Sequence, residues 1–255
     1  MDHRRVNILG VGVSAINMDQ ALASFDEWIS RNERQYVCVT PAHSVMECYG
    51  KPDLRPIFNS SGMTTPDGMA IVWLLKLKGV HDVSRVYGPD LMRNVCQLST
   101  EKGWRHFLYG GETGVPEILK SKLEHQYPGI QIVGTYSPPF RPLTEKEDYE
   151  VVEMINAISP DIIWIGITTP KQEQWMKAHL GRTNARVMVG VGAAFDFLSG
   201  RKVEATHWIQ SLGMQWAFRL FTEPKRLWRR YVQYPLFVVL VLVQALGLKK
   251  FPMET

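Results

Sequence analysis

Hydrophobic runs alternate with amphipathic segments along the first two hundred residues of the chain. Runs rich in Val, Ile and Tyr predict strands, and apolar residues recurring every three or four positions predict helices. Strands are predicted over VNILGVGV (6–13), QYVCVT (35–40), MTT (63–65), RHFLYGG (105–111), IQIVGTY (130–136), DIIWIGI (161–167) and ARVMVGVG (185–192). Helices are predicted over 17–31, 44–62 with interruptions at Pro52 and Pro56, 69–78, 114–127, 145–158 and 171–180. This alternation indicates an α/β fold with a mostly parallel, doubly wound, Rossmann-like sheet.

The pattern changes after Gly200, where the chain becomes helical, aromatic, basic and finally apolar. We therefore divide it into a core, 1–200, and a C-terminal appendage, 201–255. The uncharged run 232–248 is short for a membrane span of ~20 residues, and basic residues flank it on both sides. We interpret the appendage as an amphipathic membrane contact. A helical hairpin that packs on the core or on a second copy explains the pattern equally well.

Charge is unevenly distributed between these two parts. Residues 201–250 hold nine Lys and Arg against two acids, a net charge of +7, whereas the whole chain carries +4. A basic C-terminal fifth on a mildly acidic body suggests an anionic partner. The three cysteines form no CxxC pair and are odd in number, which favours a reducing cytoplasm. The N-terminal segment lacks the features of a signal peptide.

A glycine-rich segment, YGGETGVPE, joins a predicted strand to a predicted helix. Gly110 and Gly111 would let backbone N–H groups approach a phosphate at the helix N-terminus. An ordinary turn after a strand gives the same pattern.

Two later strand ends carry further polar candidates. In GITTPKQEQW, Thr169 is a possible helix cap, and Lys171 and Gln172 follow it; a well-capped surface helix is the alternative. In VGVGAAFDFLSG, Gly192 permits close approach of a ligand and Asp196 is placed to bind a hydroxyl or a ring nitrogen. Tight packing of a buried strand is the alternative there.

Asp67 stands alone between a proline and a glycine in TTPDGMAIVW. One interpretation is a helix N-cap, because an Asp side chain accepts hydrogen bonds from the first helical N–H groups. The other is a catalytic base at the mouth of a site. These ten residues favour the cap.

Several common sites are absent from the sequence. Gly10, Gly12 and Ala15 fit a dinucleotide fingerprint, but the strand that should end in an acid ends in Thr40, so we reject a nicotinamide cofactor. The histidines show no HxH or HExxH spacing and no DxD occurs, so we expect no metal.

If the reaction releases a diphosphate, basic side chains and helix N-termini must then stabilise it. The candidates are Arg85 and, on a helix capped by Thr222, Arg226 with Arg229 or Arg230 one turn away. A surface salt bridge for Arg85 and a solvated or lipid-facing helix for the others are the alternatives.

With these segments assembled, the sequence resembles the WecG/TagA/CpsF glycosyltransferase family along nearly its whole length. The motifs that carry the resemblance are TPDGM (65–69), RVYGPDLM (85–92), FLYGG (107–111), GTYSPPFRPL (134–143), TPKQEQWM (169–176), GVGAAFDFLSG (190–200) and EPKRLWRRY (223–231). The resemblance implies an inverting, metal-independent transfer of a sugar from a UDP-sugar to a polyprenyl-diphosphate-linked saccharide, for surface polysaccharide synthesis.

The resemblance also implies roles for individual residues. Asp67 would be the base, Thr40 would lie in its pocket, and Arg85 and Gln172 would be pocket residues. The arginines that would close over the diphosphate at the membrane are Arg219, Arg226 and Arg229 or Arg230. Many members of the family carry T-x-N after the second strand, whereas this chain has Ala42 there. His43 would take over a polar role, and the donor, a UDP-hexose, UDP-N-acetylmannosamine or UDP-uronic acid, stays open.

The leading hypothesis is therefore a peripheral enzyme on the cytoplasmic face of the plasma membrane. Its partners would be a UDP-sugar, a lipid-linked acceptor and the membrane surface, with no nucleic acid, and a homo-oligomer is open. A non-catalytic membrane-binding scaffold is a second hypothesis. A third is an α/β enzyme for a small soluble substrate whose C-terminal segment serves dimerisation.

Overall fold

The computed structural model describes residues 3–254, apart from the side chain of His207. Its strands are β1 (Arg5–Ile8), β2 (Val11–Ser14), β3 (Gln35–Thr40), β4 (Met63–Pro66), β5 (Arg105–Gly110), β6 (Gln131–Tyr136), β7 (Ile162–Gly166) and β8 (Val187–Gly190). Its helices are α1 (Met18–Ser30), α2 (Ala42–Gly50), α3 (Arg55–Asn59), α4 (Met69–Leu77), α5 (Gly88–Lys102), α6 (Val115–Gln126), α7 (Glu145–Ile158), α8 (Lys171–His179), α9 (Ala194–Leu198), α10 (His207–Ser211), α11 (Gln215–Thr222), α12 (Pro224–Tyr231) and α13 (Tyr234–Ala245).

Six of the strands form one sheet in the order β4-β3-β8-β7-β5-β6. Parallel pairing joins β3 to β8, β8 to β7, β7 to β5 and β5 to β6. Parallel strands require crossover connections, and helices supply them along this chain. The predicted α/β class with a parallel sheet is confirmed.

The first predicted strand is wrong in one respect. Instead of a single strand over 6–13, β1 and β2 form an antiparallel two-stranded sheet, with Ile8 opposite Val11. Leu9 and Gly10 make the turn with positive φ angles of 53° and 92°. Gly10 and Gly12 therefore belong to a hairpin rather than to the strand–turn–helix unit that a dinucleotide fingerprint requires.

Contacts divide the chain into two compact units. The first comprises Asp19–Cys38 and Gly88–Val203, and the second comprises residues 3–18, Val39–Tyr87 and 204–254. The second unit thus combines the ends of β3 and β4 with the C-terminal helices. The predicted boundary at residue 200 stays a prediction, and residues 1, 2 and 255 lie outside the described part.

The C-terminal helix α13 buries one side and exposes the other. Phe237 and Leu240 are buried, whereas Val238, Val239 and Leu242 are more than half exposed. Its twelve residues correspond to roughly 18 Å at 1.5 Å per residue. Within residues 3–254, no helix reaches the length and apolarity of a membrane span.

The core of the first unit contains a neutral histidine. His106 is fully buried on β5, where its Nδ1 accepts a 2.9 Å hydrogen bond from Nε1 of Trp164. Burial lowers the pKa of His106 to about 3. The folded protein therefore excludes a proton that the unfolded chain binds below a pH of about 6.5.

We expect this histidine to make the protein less stable in mild acid. As pH falls from about 6.5 towards 3, the free energy of unfolding should fall by up to about 1.4 kcal/mol per pH unit. His106→Gln keeps an acceptor for Trp164 but does not titrate, so its urea-unfolding free energy should depend less steeply on pH. An equally steep dependence in the variant would contradict this.

Candidate active site

Asp67 lies on the turn that joins β4 to α4 in the second unit. Gly68, with φ +95°, occupies the N-cap position of α4. The cap interpretation of Asp67 is therefore wrong, since the helix begins one residue later than it requires. The half-buried carboxylate is placed by a short strand whose four residues are all buried.

Two tyrosines lie within electrostatic range of this carboxylate. Burial and then neighbouring negative charge raise the pKa of Tyr87, and the Asp67 carboxylate contributes to that charge. The pKa of Tyr234, at the start of α13, is raised by burial, by Tyr231 and by Asp67. Both phenols therefore stay protonated at neutral pH and can donate hydrogen bonds. Sequence reasoning missed both as site residues, although Tyr87 lies inside the RVYGPDLM motif.

Positive charge is concentrated in the same neighbourhood. Arg219 of α11 and Arg230 of α12 both lower the pKa of Tyr234, whereas Asp67 raises it. All three charged groups therefore lie within electrostatic range of the Tyr234 hydroxyl. Burial, Arg219 and Arg226 lower the pKa of Arg230, because like charges crowd a half-buried guanidinium. Such crowding is relieved when an anion binds.

His43 lies in the first turn of α2, within electrostatic range of Arg230 and Arg219. Burial lowers its pKa well below the ordinary value, and Arg230 and Arg219 lower it further. The imidazole is therefore neutral at pH 7 and can accept a hydrogen bond. Thr40 ends β3 and is fully buried, and Pro41 is the N-cap of α2. In the second unit, Arg219 and Arg230 thus lie within electrostatic range of both His43 and Tyr234, and Asp67 lies within electrostatic range of Tyr234.

The other candidate arginines of α12, Arg226 and Arg229, contact different partners. Arg226 forms a 2.5 Å ion pair with Glu223, which also lies 3.9 Å from Arg219. Arg229 is exposed and lies over the ring of Trp228 at 5.4 Å. Thr222 is not the cap of this helix, because Glu223 occupies that position and the Thr222 hydroxyl donates backwards to Phe218 O and Arg219 O. Of the alternatives Arg229 and Arg230, the structure brings Arg230 to the site.

Arg85 is engaged by the C-terminal helices. Its Nη1 donates to Oε1 of Gln215 at 3.1 Å, and its Nη2 donates to Oε1 of Gln210. Its guanidinium also lies 4.5 Å from the centre of the Tyr87 ring. Both interpretations of Arg85, a surface salt bridge and a substrate-binding residue, stay predictions.

In the first unit, α8 buries an amide and a carboxylate at its start. Gln172 Nε2 and Thr169 Oγ1 each donate to Oε1 of Glu173 at 3.0 Å. Oε1 of Gln172 is buried and has no hydrogen-bond partner among the described residues. Thr169 does not cap α8, whose N-cap is Pro170, and Lys171 is exposed. Gln172 therefore keeps an acceptor for a ligand's N–H or O–H group.

Glycines in the first unit allow neighbouring strand ends to approach each other closely. A Cβ on Gly110 would lie 2.6 Å from the carbonyl carbon of Gly166, and the N–H of Gly111 donates to Gly166 O at 3.0 Å. That amide is already used, so phosphate binding at Gly110 and Gly111 stays a prediction. Gly192, with φ +50°, has Oε1 of Gln172 3.5 Å from the position of a Cβ.

The remaining candidate of the first unit is an acid. Asp196, at the start of α9, forms a 2.6 Å ion pair with Lys202. A ligand that binds to the Asp196 carboxylate must therefore share it with the Lys202 ammonium group. Among residues 3–254, no group of three His, Cys, Asp or Glu side chains is arranged to hold a metal ion.

Comparison with known proteins gives one consistent result. The model of the glycosyl transferase WecG/TagA/CpsF family matches residues 6–251. Similar proteins include an N-acetylglucosaminyldiphosphoundecaprenol N-acetyl-beta-D-mannosaminyltransferase from Bacillus spizizenii strain W23, 28% identical over 88% of this chain and 87% of its own length. Proteins of the same description come from Bacillus subtilis strain 168, 29% identical over 78% and 75%, and from Staphylococcus aureus strain MRSA252, 25% identical over 88% and 87%.

Proposed function

The chain belongs to the WecG/TagA/CpsF family of glycosyl transferases, and we propose that it transfers N-acetylmannosamine from its UDP-sugar to a polyprenyl-diphosphate-linked N-acetylglucosamine. The enzyme is a glycosyltransferase; the donor and acceptor are the proposal. Three similar bacterial proteins bear the name of this mannosaminyl transfer. These names, together with the family match over residues 6–251, are the observation that carries the proposal.

We infer that Asp67, Arg219 and Arg230 would carry out an inverting transfer. The acceptor hydroxyl oxygen attacks the anomeric carbon, its proton passes to the Asp67 carboxylate, and the bond from the anomeric carbon to the diphosphate oxygen breaks. UDP leaves with both electrons of that bond. Arg219 and Arg230 would stabilise the negative charge that develops on it. Neutral His43 would accept a hydrogen bond from a substrate hydroxyl.

We infer that this charge stabilisation needs no divalent cation. Transferases that use a cation place it on the diphosphate, where it neutralises the leaving group. Here the crowded guanidinium groups would do so. Within the first unit, Thr169 positions Gln172 through Glu173, and Gln172, Gly192 and Asp196 stay predicted substrate-binding residues.

The C-terminal helices fit a contact with a lipid surface. Phe221 of α11 is 91% exposed, and Trp208, Trp228 and Val232 are each at least half exposed. Exposed basic residues, among them Arg229, lie on the same segment. Aromatic and aliphatic side chains with interspersed basic residues are typical of helices that lie in the membrane interface. We therefore place the enzyme peripherally on the cytoplasmic face of the plasma membrane, where a lipid-linked acceptor is presented.

The direct test is UDP release with a panel of donors and a short-chain polyprenyl-diphosphate N-acetylglucosamine. UDP-N-acetylmannosamine should give the highest kcat/KM, UDP-glucose and a UDP-uronic acid much lower values, and EDTA should leave the rate unchanged. Preference for another donor would overturn the assignment of the sugar. Absence of turnover with every donor, together with vesicle binding, would favour the scaffold hypothesis.

Membrane contact can be tested with one aromatic side chain. Phe221→Ser should weaken sedimentation with phosphatidylglycerol-containing vesicles by roughly tenfold or more, because a buried Phe contributes about 1.5–3 kcal/mol. Phe140→Ser is the matched control, since Phe140 is 88% exposed in a loop of the first unit. Equal vesicle binding by the two variants would contradict the proposal.

A further inference from the structure

Arg85 stands at the centre of a polar network that ties the C-terminal helices to the loop before α5. Gln215 accepts from Arg85 through Oε1 and donates to the Tyr87 hydroxyl through Nε2 at 2.5 Å. Gln210, only 4% exposed, accepts from Arg85 and donates to Ala205 O at 2.5 Å. Each glutamine thus uses both ends of its amide, which fixes the orientation of that amide.

The same loop is hydrogen-bonded to the end of β4. The N–H of Val86 donates to Pro66 O at 3.0 Å, and the hydroxyl of Thr65 donates to Val86 O at 3.1 Å. Both bonds are buried between residues that are themselves fully or almost fully buried. Asp67 is the next residue after Pro66, so the position of its carboxylate depends on where residues 85–87 are held.

We propose that Gln210 and Gln215 are positioning residues that hold Arg85 and Tyr87, and through them the Asp67 turn, in the geometry needed for transfer. The inference deepens the proposed function and rests on Asp67 as its base. Docking of α10 and α11 would then do more than bring arginines to the site. It would also fix the base, so a displaced C-terminal segment would leave the Asp67 turn loosely held.

Bond geometry supports a specific role for these amides. Arginine offers a planar fork of N–H donors, and two side-chain carbonyls occupy two of its nitrogens here. The stacked Tyr87 ring covers one face of the guanidinium. An apolar side chain in place of Gln215 leaves one arginine donor and the Tyr87 hydroxyl without these partners, and partial loss of a buried network is costly.

The first experiment measures hydrogen exchange and needs no substrate. In Gln215→Met, the amide of Val86 should exchange roughly tenfold faster than in the wild type, because the loop that carries it is less firmly held. Gln215→Glu retains acceptors for Arg85 and for the Tyr87 hydroxyl, so it should preserve protection. Gln97→Met is the control, since Gln97 is exposed on α5. Equal protection in the Met and Glu variants would overturn the proposal.

The second experiment is a double-mutant cycle on turnover. Gln215→Met should lower kcat by roughly 10- to 100-fold, the effect of a misplaced catalytic group, with a smaller change in KM. If Arg85 acts by being held, Arg85→Met combined with Gln215→Met should lose no more than the worse single variant. Multiplied losses would overturn the positioning role and give Arg85 a direct substrate contact. If Gln215→Met speeds exchange of the Val86 amide but the wild type transfers no sugar, the proposed function is rejected and the network is kept.

Discussion

Asp67→Asn is expected to lower kcat by roughly 10²–10⁴-fold, the contribution of a positioned general base. Asparagine has nearly the same shape but cannot accept the proton that the acceptor hydroxyl loses. Because Gly68 rather than Asp67 is the N-cap of α4, the substitution removes no helix cap. The measurement is UDP release with saturating donor and a short-chain lipid acceptor.

The control for this variant is Asp53→Asn, an exposed acid of the same unit. It should retain wild-type turnover, and both variants should keep the wild-type thermal unfolding temperature and affinity for UDP. Turnover of Asp67→Asn within a few-fold of the wild type would reject the base assignment. Attention would then turn to His43, whose lowered pKa leaves its imidazole neutral at pH 7.

Most of the regular structure could be predicted from hydrophobic periodicity. β3 and α7 have the predicted bounds, 35–40 and 145–158. The sequence predicts one strand in place of the hairpin of β1 and β2, because the turn at Leu9–Gly10 lies within an apolar run. Helix α5 lies outside the predicted helices, although its buried residues Leu91, Met92, Val95, Cys96 and Ser99 recur at helical spacing. Its first residues are the Gly-Pro-Asp of the RVYGPDLM motif, a combination that is also typical of turns. Turn-like residues at the start of a helix can thus obscure the periodicity that follows.

The site was predicted less completely than the fold, for a physical reason. Helical spacing puts Arg226 one turn from both Arg229 and Arg230, but it cannot tell which of the two faces the protein interior. The tertiary contacts of α12 decide this, and they bury part of Arg230. Gln210 and Gln215 carried no sequence signal at all, since a polar residue on an amphipathic helix is ordinarily solvated. Their role depends on Arg85, more than a hundred residues away.

The second large effect on turnover is expected from substitution at one of two adjacent arginines, Arg229 and Arg230. Arg230→Met should lower kcat by roughly 10²–10³-fold, the loss expected when one donor to developing negative charge is removed. Arg229→Met should leave transfer to a short-chain acceptor nearly unchanged, because Arg229 is exposed and lies over Trp228. Its effect should appear instead as weaker binding to anionic vesicles, which salt also weakens.

The thermal unfolding temperatures of Arg230→Met and Arg229→Met distinguish loss of function from loss of folding. Burial and the neighbouring Arg219 and Arg226 lower the pKa of Arg230, so its charge is unfavourable in the ligand-free protein. Arg230→Met should therefore unfold at the wild-type temperature or above while losing activity, as expected where a charge is retained for function. It should also bind UDP more weakly than Arg229→Met does. Equal activity of the two variants would contradict this assignment. A lower unfolding temperature for Arg230→Met alone would contradict it too, because it would mean that the Arg230 side chain stabilises the fold rather than serving the leaving diphosphate.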